Sequence, residues 1–256
     1  MTPRAAPDRS RWASRAVQAL FLGALLSFWY FLTASGRVSP ILLPDPVSVF
    51  HELSDVLWTG EFVGDLLITL TELAVAFAIS MVLGVVTGYL ISRSPYLITV
   101  FEPLLAGAYA IPIILFLPLF VLFFGLGPAS KIAIGAAISF FPIVINTIAG
   151  FGHVEPLFVN AARSMGASDY HLFRYVLMPA ALPVMLTGLR MGFTVALLSI
   201  IGSETLASLA GLGHHIVALA EGMEMARMFA YIAFVVAIAA ILNAVVSALE
   251  ARGTWN

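Results

Sequence analysis

Few residues in this sequence could do chemistry, and most are isolated. Glu72, Arg190 and Glu204 interrupt long apolar runs, and His214 and His215 stand side by side after Gly211-Leu212-Gly213. Neighbouring residues on a helix point about 100° apart, so the two histidines make a poor metal pair and suit a structural or surface role. The single lysine, Lys131, follows Ser130, which rules out a Gly-x-x-x-x-Gly-Lys-Ser/Thr phosphate loop. With no cysteine there is no disulfide, thiolate metal site or cysteine nucleophile. His-Glu-x-x-His, Gly-x-Ser-Gly and Gly-x-Gly-Asp are also missing, so no catalytic, cofactor or metal site is expected on this chain. Twelve basic residues, scattered singly, give no nucleic-acid patch.

The elements that carry these residues are set by composition. Hydrophobic residues make up 61% of the 256 and charged residues 10%, against roughly 45–50% and 25% in soluble domains. One soluble core could not hide that much apolar surface, whereas a bilayer is its solvent. Six continuous runs approach the roughly 20 residues a spanning helix needs: 16–33, 66–91, 101–124, 132–151, 180–201 and 228–249. Continuous rather than alternating polarity argues against a β-barrel. The expected fold is an all-α polytopic membrane protein of six transmembrane helices, with a tail at 1–15 and a membrane domain at 16–256. The run at 16–33 reads as a retained span, being long for a signal sequence and lacking a small-residue cleavage pattern.

Basic residues orient the spans. With the N-terminus in the cytoplasm, the inner segments hold Arg4, Arg9, Arg11, Arg15, Arg93, Arg163, Arg174 and Arg252. The outer ones hold Arg37, Lys131 and Arg227. Both termini are therefore expected inside.

Ionisable groups within spans are costly and draw attention. Glu72, one turn into its span, is expected to snorkel to the interface or to pair, and Arg190, near the inner end of another, to snorkel. Glu204 lies fourteen residues beyond Arg190, about 21 Å along a helix, so the two cannot meet there. No paired intramembrane acids of an ion-driven carrier are legible. Asn146, Thr147 and Asn243 are expected to hydrogen-bond between helices. The third span holds Pro103, Pro112 and Pro118 and should be kinked or broken; broken spans line cavities, which places Tyr109 and Pro112 beside a translocation path. In the connection 36–65, Asp45-Pro46 followed by Val47, Phe50, Leu53 and Leu57 predicts a short amphipathic helix on the membrane, or a solvated loop with a few anchors.

The inner connection, 152–183, is too long for a turn and too polar to span. Glu155-Pro156 starts a helix, Gly166 caps its end, Ser168 caps a second with Asp169 in its first turn, and Pro179 ends that one. Leu172, Phe173 and Tyr175 are expected on the exposed side. Such a hairpin fits either docking into another protein's groove or lying flat on lipid headgroups.

A resemblance bears on that choice. Asn160-Ala161-Ala162, three residues, Gly166, nine residues, then Val176-Leu177-Met178-Pro179 resembles the EAA loop of binding-protein-dependent ABC importer permeases, with Asn160, Val176 and Met178 departing from Glu, Ile and Leu. Ser35-Gly36-Arg37, Leu43-Pro44-Asp45-Pro46, Ala110-Ile111-Pro112, Leu117-Pro118-Leu119, Phe124-Gly125-Leu126-Gly127, Leu189-Arg190-Met191 and Gly211-Leu212-Gly213 follow in the order of the permeases for sulfonates, taurine, nitrate and vitamin precursors. The resemblance implies a permease subunit in a bacterial inner membrane, with ATP and Mg held by separate ATPase subunits. It further implies a second identical permease and an extracytoplasmic substrate-binding protein. Asn160, Ala161, Ala162, Gly166, Ser168, Leu172 and Phe173 would couple to the ATPase, and Glu204 would either face an outer cavity of the translocation path or hold a simple interface position.

Overall fold

In the computed structural model, residues 9–58 and 60–253 are described, and every regular element among them is helical. They are α1 (Arg9–Ala34), α2 (Pro46–Trp58), α3 (Gly60–Ser92), α4 (Pro95–Tyr109), α5 (Leu117–Phe124), α6 (Pro128–Gly152), α7 (Pro156–Ser164), α8 (Asp169–Leu172), α9 (Met178–Leu206), α10 (Leu212–Glu221) and α11 (Met225–Gly253). Proline opens α4, α6 and α7, where its missing N–H would have no partner in any case. Residues 1–8 of the expected tail lie outside the described residues, and α1 already begins at Arg9.

Among the described residues five helices are long and apolar enough to cross a membrane, and a bent pair, counted as one span, gives a sixth. That pair is the proline-rich third run. α4 ends at Tyr109, a 3-10 turn follows over Ile113–Phe116, and α5 departs at 69°. Ala110 N–H still reaches the Ala106 and Gly107 carbonyls, and Leu115 N–H reaches Pro112 O at 3.0 Å, so the break leaves those amides satisfied.

The chain divides into two compact units. The first comprises residues 1–59 and 218–233. Here the expected cap is present: Asp45 Oδ1 accepts from Val47 N–H at 2.9 Å and Ser48 N–H at 3.0 Å, and starts α2. Trp29 stacks at a tilt on Phe229 with centroids 6.0 Å apart and donates from Nε1 to Pro44 O at 3.0 Å. Tyr231 is fully buried.

The second unit, residues 60–217 and 234–256, is built round α6, which α3 and α9 flank. Glycines let the backbones meet. A Cβ at Gly84 or Gly88 of α3 would lie 2.7 or 2.6 Å from Ile143 or Thr147; one at Gly188 or Gly192 of α9 would lie 2.4 or 2.5 Å from Asn146 or Ile143. Both glycine pairs are four residues apart, one helical face, as in tightly packed membrane helices. Asn146 and Thr147 prove to bond carbonyls of their own helix, Pro142 O and Ile143 O. Thr147 stays on its own helix, whereas Asn146 Nδ2 also donates across to Met191 Sδ of α9 at 4.0 Å and Asn243 Oδ1 accepts from Thr194 at 3.5 Å, so the expected bridging is seen at Asn146 and Asn243.

Pro179 does not end a helix, contrary to the sequence expectation. After α8 the chain makes a π turn over Phe173–Leu177 and runs straight on as α9, so Asp169–Leu206 is one stretch of 38 residues. Met178 N–H bonds Phe173 O, five residues back, and this wider ring shifts the register just where Pro179 lacks its donor.

Candidate functional site

Two constellations stand at opposite ends of α9. At its start is the corner made by residues 152–183. α7 closes with the bond pair of a Schellman turn: Ala167 N–H to Ala162 O at 3.1 Å and Gly166 N–H to Arg163 O at 2.9 Å. Gly166 sits at φ +80°, a left-handed conformation that favours glycine, and no neighbour occupies the space its Cβ would take. Ser168 Oγ then accepts from His171 N–H at 3.3 Å and starts α8.

The surface of this corner differs from the expected one. Leu172 is 5% exposed, and Phe173 turns inward, with its ring 5.2 Å from Tyr89 and 6.1 Å from Phe151. Tyr89 and Phe151 are themselves 5.0 Å apart, so three rings fasten the π turn to α3 and α6. A helix period carried across a π turn rotates by one residue, which is why Leu172 and Phe173 face the bundle. Ala162 is buried as well, while Asn160, Ala161 and Ser168 are exposed. The outward apolar side chains are Leu157, Phe158, Met165, Tyr170 and Tyr175, of which only Tyr175 was singled out from sequence as exposed.

At the far end of α9 lies a polar cluster that sequence reasoning missed. Glu72 and Glu204 are each 1% exposed, Thr69 is 2% and Lys131 is fully buried. Neither acid snorkels, and Lys131 is no loop cation: it belongs to α6 and donates to the Leu126 carbonyl and to Ser130 Oγ. The two glutamates hydrogen-bond one another, so the expectation of no paired intramembrane acids is overturned.

The cluster closes round the start of α10. Gly211 N–H donates to Asp65 Oδ1 at 3.0 Å, Leu212 N–H to Thr69 Oγ1 at 3.0 Å, and Gly213 N–H to Glu204 Oε2 at 2.8 Å. Thr69 Oγ1 donates onward to Glu204 Oε1 at 2.6 Å. Three amides of a helix N-terminus, which lack intrahelical partners, are thus satisfied by side chains of α3 and α9. Gly211-Leu212-Gly213 is needed for fit. Gly211 holds φ +104° with its Cβ position 2.3 Å from Glu204 Oε1, and a Cβ at Gly213 would lie 2.5 Å from Ile201 O. His215 Nδ1 lies 3.1 Å from Asp65 Oδ2, a structural role as expected, and no metal cluster is found among the described residues.

Tyr109 and Pro112 lie at the break between α4 and α5, away from this clamp in the contacts they make. Tyr109 stacks on Phe141 with centroids 6.1 Å apart. Phe141 helps line an apolar groove of about 720 Å³ with Ile79, Leu83, Phe124 and Phe140. Arg190 pairs with Glu250 of α11 at 3.2 Å, where Thr187 also donates to the same carboxylate at 2.9 Å, and its side chain stays 43% exposed.

Comparison with known proteins decides the family. Residues 80–253 match the family described as binding-protein-dependent transport system inner membrane component. The chain belongs to that family. This permease is 30% identical to the taurine transport system permease protein TauC of Escherichia coli (strain K12), over 92% of its own length and 88% of that protein's. It is 29% identical to the putative aliphatic sulfonates transport permease protein SsuC of Bacillus subtilis (strain 168), over 97% and 90%. The riboflavin transport system permease protein RibX of Chloroflexus aurantiacus is 30% identical over 80% and 76%. In fold it is similar to a chain of the inward-facing MetNI methionine ABC transporter, with a TM-score of 0.63 and 18% identity over 75% of this chain and 95% of that one. The protein is therefore a multi-pass permease subunit of an ABC importer, in a family whose members are not themselves enzymes.

Proposed function

We propose that this permease carries a small organic solute with apolar or aromatic parts, and that a separate ABC ATPase drives it through the corner at 152–183. Supporting the coupling role, the corner offers Leu157, Phe158, Met165, Tyr170 and Tyr175 outward on a turn fixed by Gly166, and is joined without interruption to α9. Asn160, Ala161 and Ser168 belong to the docking surface, while Ala162, Leu172 and Phe173 act from beneath by holding it to the bundle. The bias of basic residues supports a cytoplasmic side for this corner and both termini. In keeping with the family, two permease copies and two ATPases form the membrane assembly, and an extracytoplasmic binding protein delivers the solute.

The path runs along the α4–α5 break, past Tyr109 and Pro112. The groove beside them is apolar, which favours uncharged or aromatic solutes over a multiply charged anion. Relatives are named for taurine, aliphatic sulfonates and riboflavin, so sulfonates stay open beside aromatic solutes. Glu204 closes the outer end of the path as part of its clamp rather than lining an open cavity.

The test is co-purification with ABC ATPase subunits from the same genome, and ATPase activity after reconstitution. Wild type should retain an ATPase, and Gly166→Asp, strained at a left-handed corner, should lose most of it while keeping its membrane spans. Equal retention by both forms would remove the corner from the mechanism.

A further inference from the structure

The feature that the transport reading leaves unused is the carboxyl pair at the α10 clamp. Glu72 of α3 and Glu204 of α9 are each 1% exposed and hydrogen-bonded to one another. Two carboxylates cannot share a hydrogen bond without a proton between them. The donor is identified by what each group already does. Glu204 accepts from Thr69 Oγ1 and from Gly213 N–H, using both oxygens as a carboxylate does. Glu72 has no such donors, and its Oε2 is buried without a hydrogen-bond partner among the described residues. An ionised carboxylate with a buried oxygen that no protein donor reaches is far more costly than a neutral acid in the same place.

Charge counting agrees. Lys131 of α6 is the cation whose charge acts on both acids, but its ammonium is taken up by Leu126 O and Ser130 Oγ, and it makes no ion pair with either glutamate among the described residues. Two carboxylates and one ammonium sum to −1, so a proton on the pair removes an excess negative charge from these three buried groups. Asp65 of α3 adds a further negative charge beside Glu204, and its oxygens hold Gly211 N–H and His215 Nδ1.

We propose that Glu72 and Glu204 form a one-proton binding site inside the membrane, and that the proton on Glu72 keeps Glu204 clamped to the first turn of α10. On release, the Glu72 O–H bond breaks, the proton passes to bulk water, and two adjacent carboxylates are left. Their repulsion pulls Glu204 from Gly213 N–H and frees residues 207–213.

The experiment uses the full permease with its ATPase in lipid nanodiscs. Infrared spectra would follow the deuterium-sensitive C=O stretch of a protonated carboxyl group, and hydrogen exchange would follow the Gly213 amide, both as pH is raised. Wild type should show a protonated-carboxyl band whose loss coincides with deprotection of Gly213. Glu72→Gln, which still donates a hydrogen bond but cannot ionise, should lack the band and keep Gly213 protected at every pH. Glu72→Ala should lack the band and lose the protection. A band unchanged in Glu72→Gln, its absence from wild type, or equal protection in the Gln and Ala variants would each overturn the proposal.

Discussion

At the scale of single residues, local chemistry follows from short-range order that the sequence displays openly. Asp45 is the clearest case, since an Asp before Pro46 both caps α2 and holds two amides and the Ser48 hydroxyl. Those hydrogen bonds, the Ser48 hydroxyl foremost, lower its carboxyl below the usual value. A depressed folded-state value contributes stability above the unfolded-state value, and that contribution fades as pH falls through the folded one. Amide exchange at Val47 and Ser48 should therefore speed up as the medium is made acidic below the ordinary carboxylate range. In Asp45→Asn, which caps without titrating, that acid dependence should vanish. The Gly166 corner was equally legible. Glu72, Lys131 and Glu204 were not, because each is a lone charge in its own window, and only the packing of three helices far apart in sequence brings them together.

At the scale of elements, the six spans and the break of the third were legible from apolar length and from Pro112 and Pro118. The union of α8 with α9 was not. A proline eleven residues after the Ser168 cap reads as the end of a short helix, and nothing in composition announces a π turn. The tight seams of α6 with α3 and α9 were hidden too, since glycine in an apolar run has several meanings. Gly192→Leu should force a side chain into Ile143 and cost about 1–3 kcal/mol of stability, measured as a lowered unfolding midpoint in detergent. Gly202→Leu in the same helix, where no atom lies within 4 Å of the Cβ position, serves as its control. Equal midpoints would mean that the seam is looser than its distances indicate.

For the whole molecule, the consequence is mechanical. Residues 169–206 form one helical stretch of about 57 Å at 1.5 Å per residue. It joins the outward corner at one end to the Glu204 clamp at the other. On the coupling proposed above, motion imposed at the corner would reach the clamp through this rod. Two glycines inserted after Leu177 should slacken that rod without touching either end. The expected result is ATP hydrolysis largely retained and solute uptake lost, read as a collapsed ratio of transport to hydrolysis in proteoliposomes. An unchanged ratio would show that force travels by another helix.

The clamp also bears on selectivity. The exposed start of a helix, with its free amides and positive dipole end, is a natural seat for sulfonate or carboxylate groups. Here Asp65, Thr69 and Glu204 already sit on the amides of Gly211, Leu212 and Gly213. The protein has filled its own anion seat, so a passing acid finds no free amide at those three positions. Whatever discrimination this importer shows toward anionic solutes must be exercised before they arrive there.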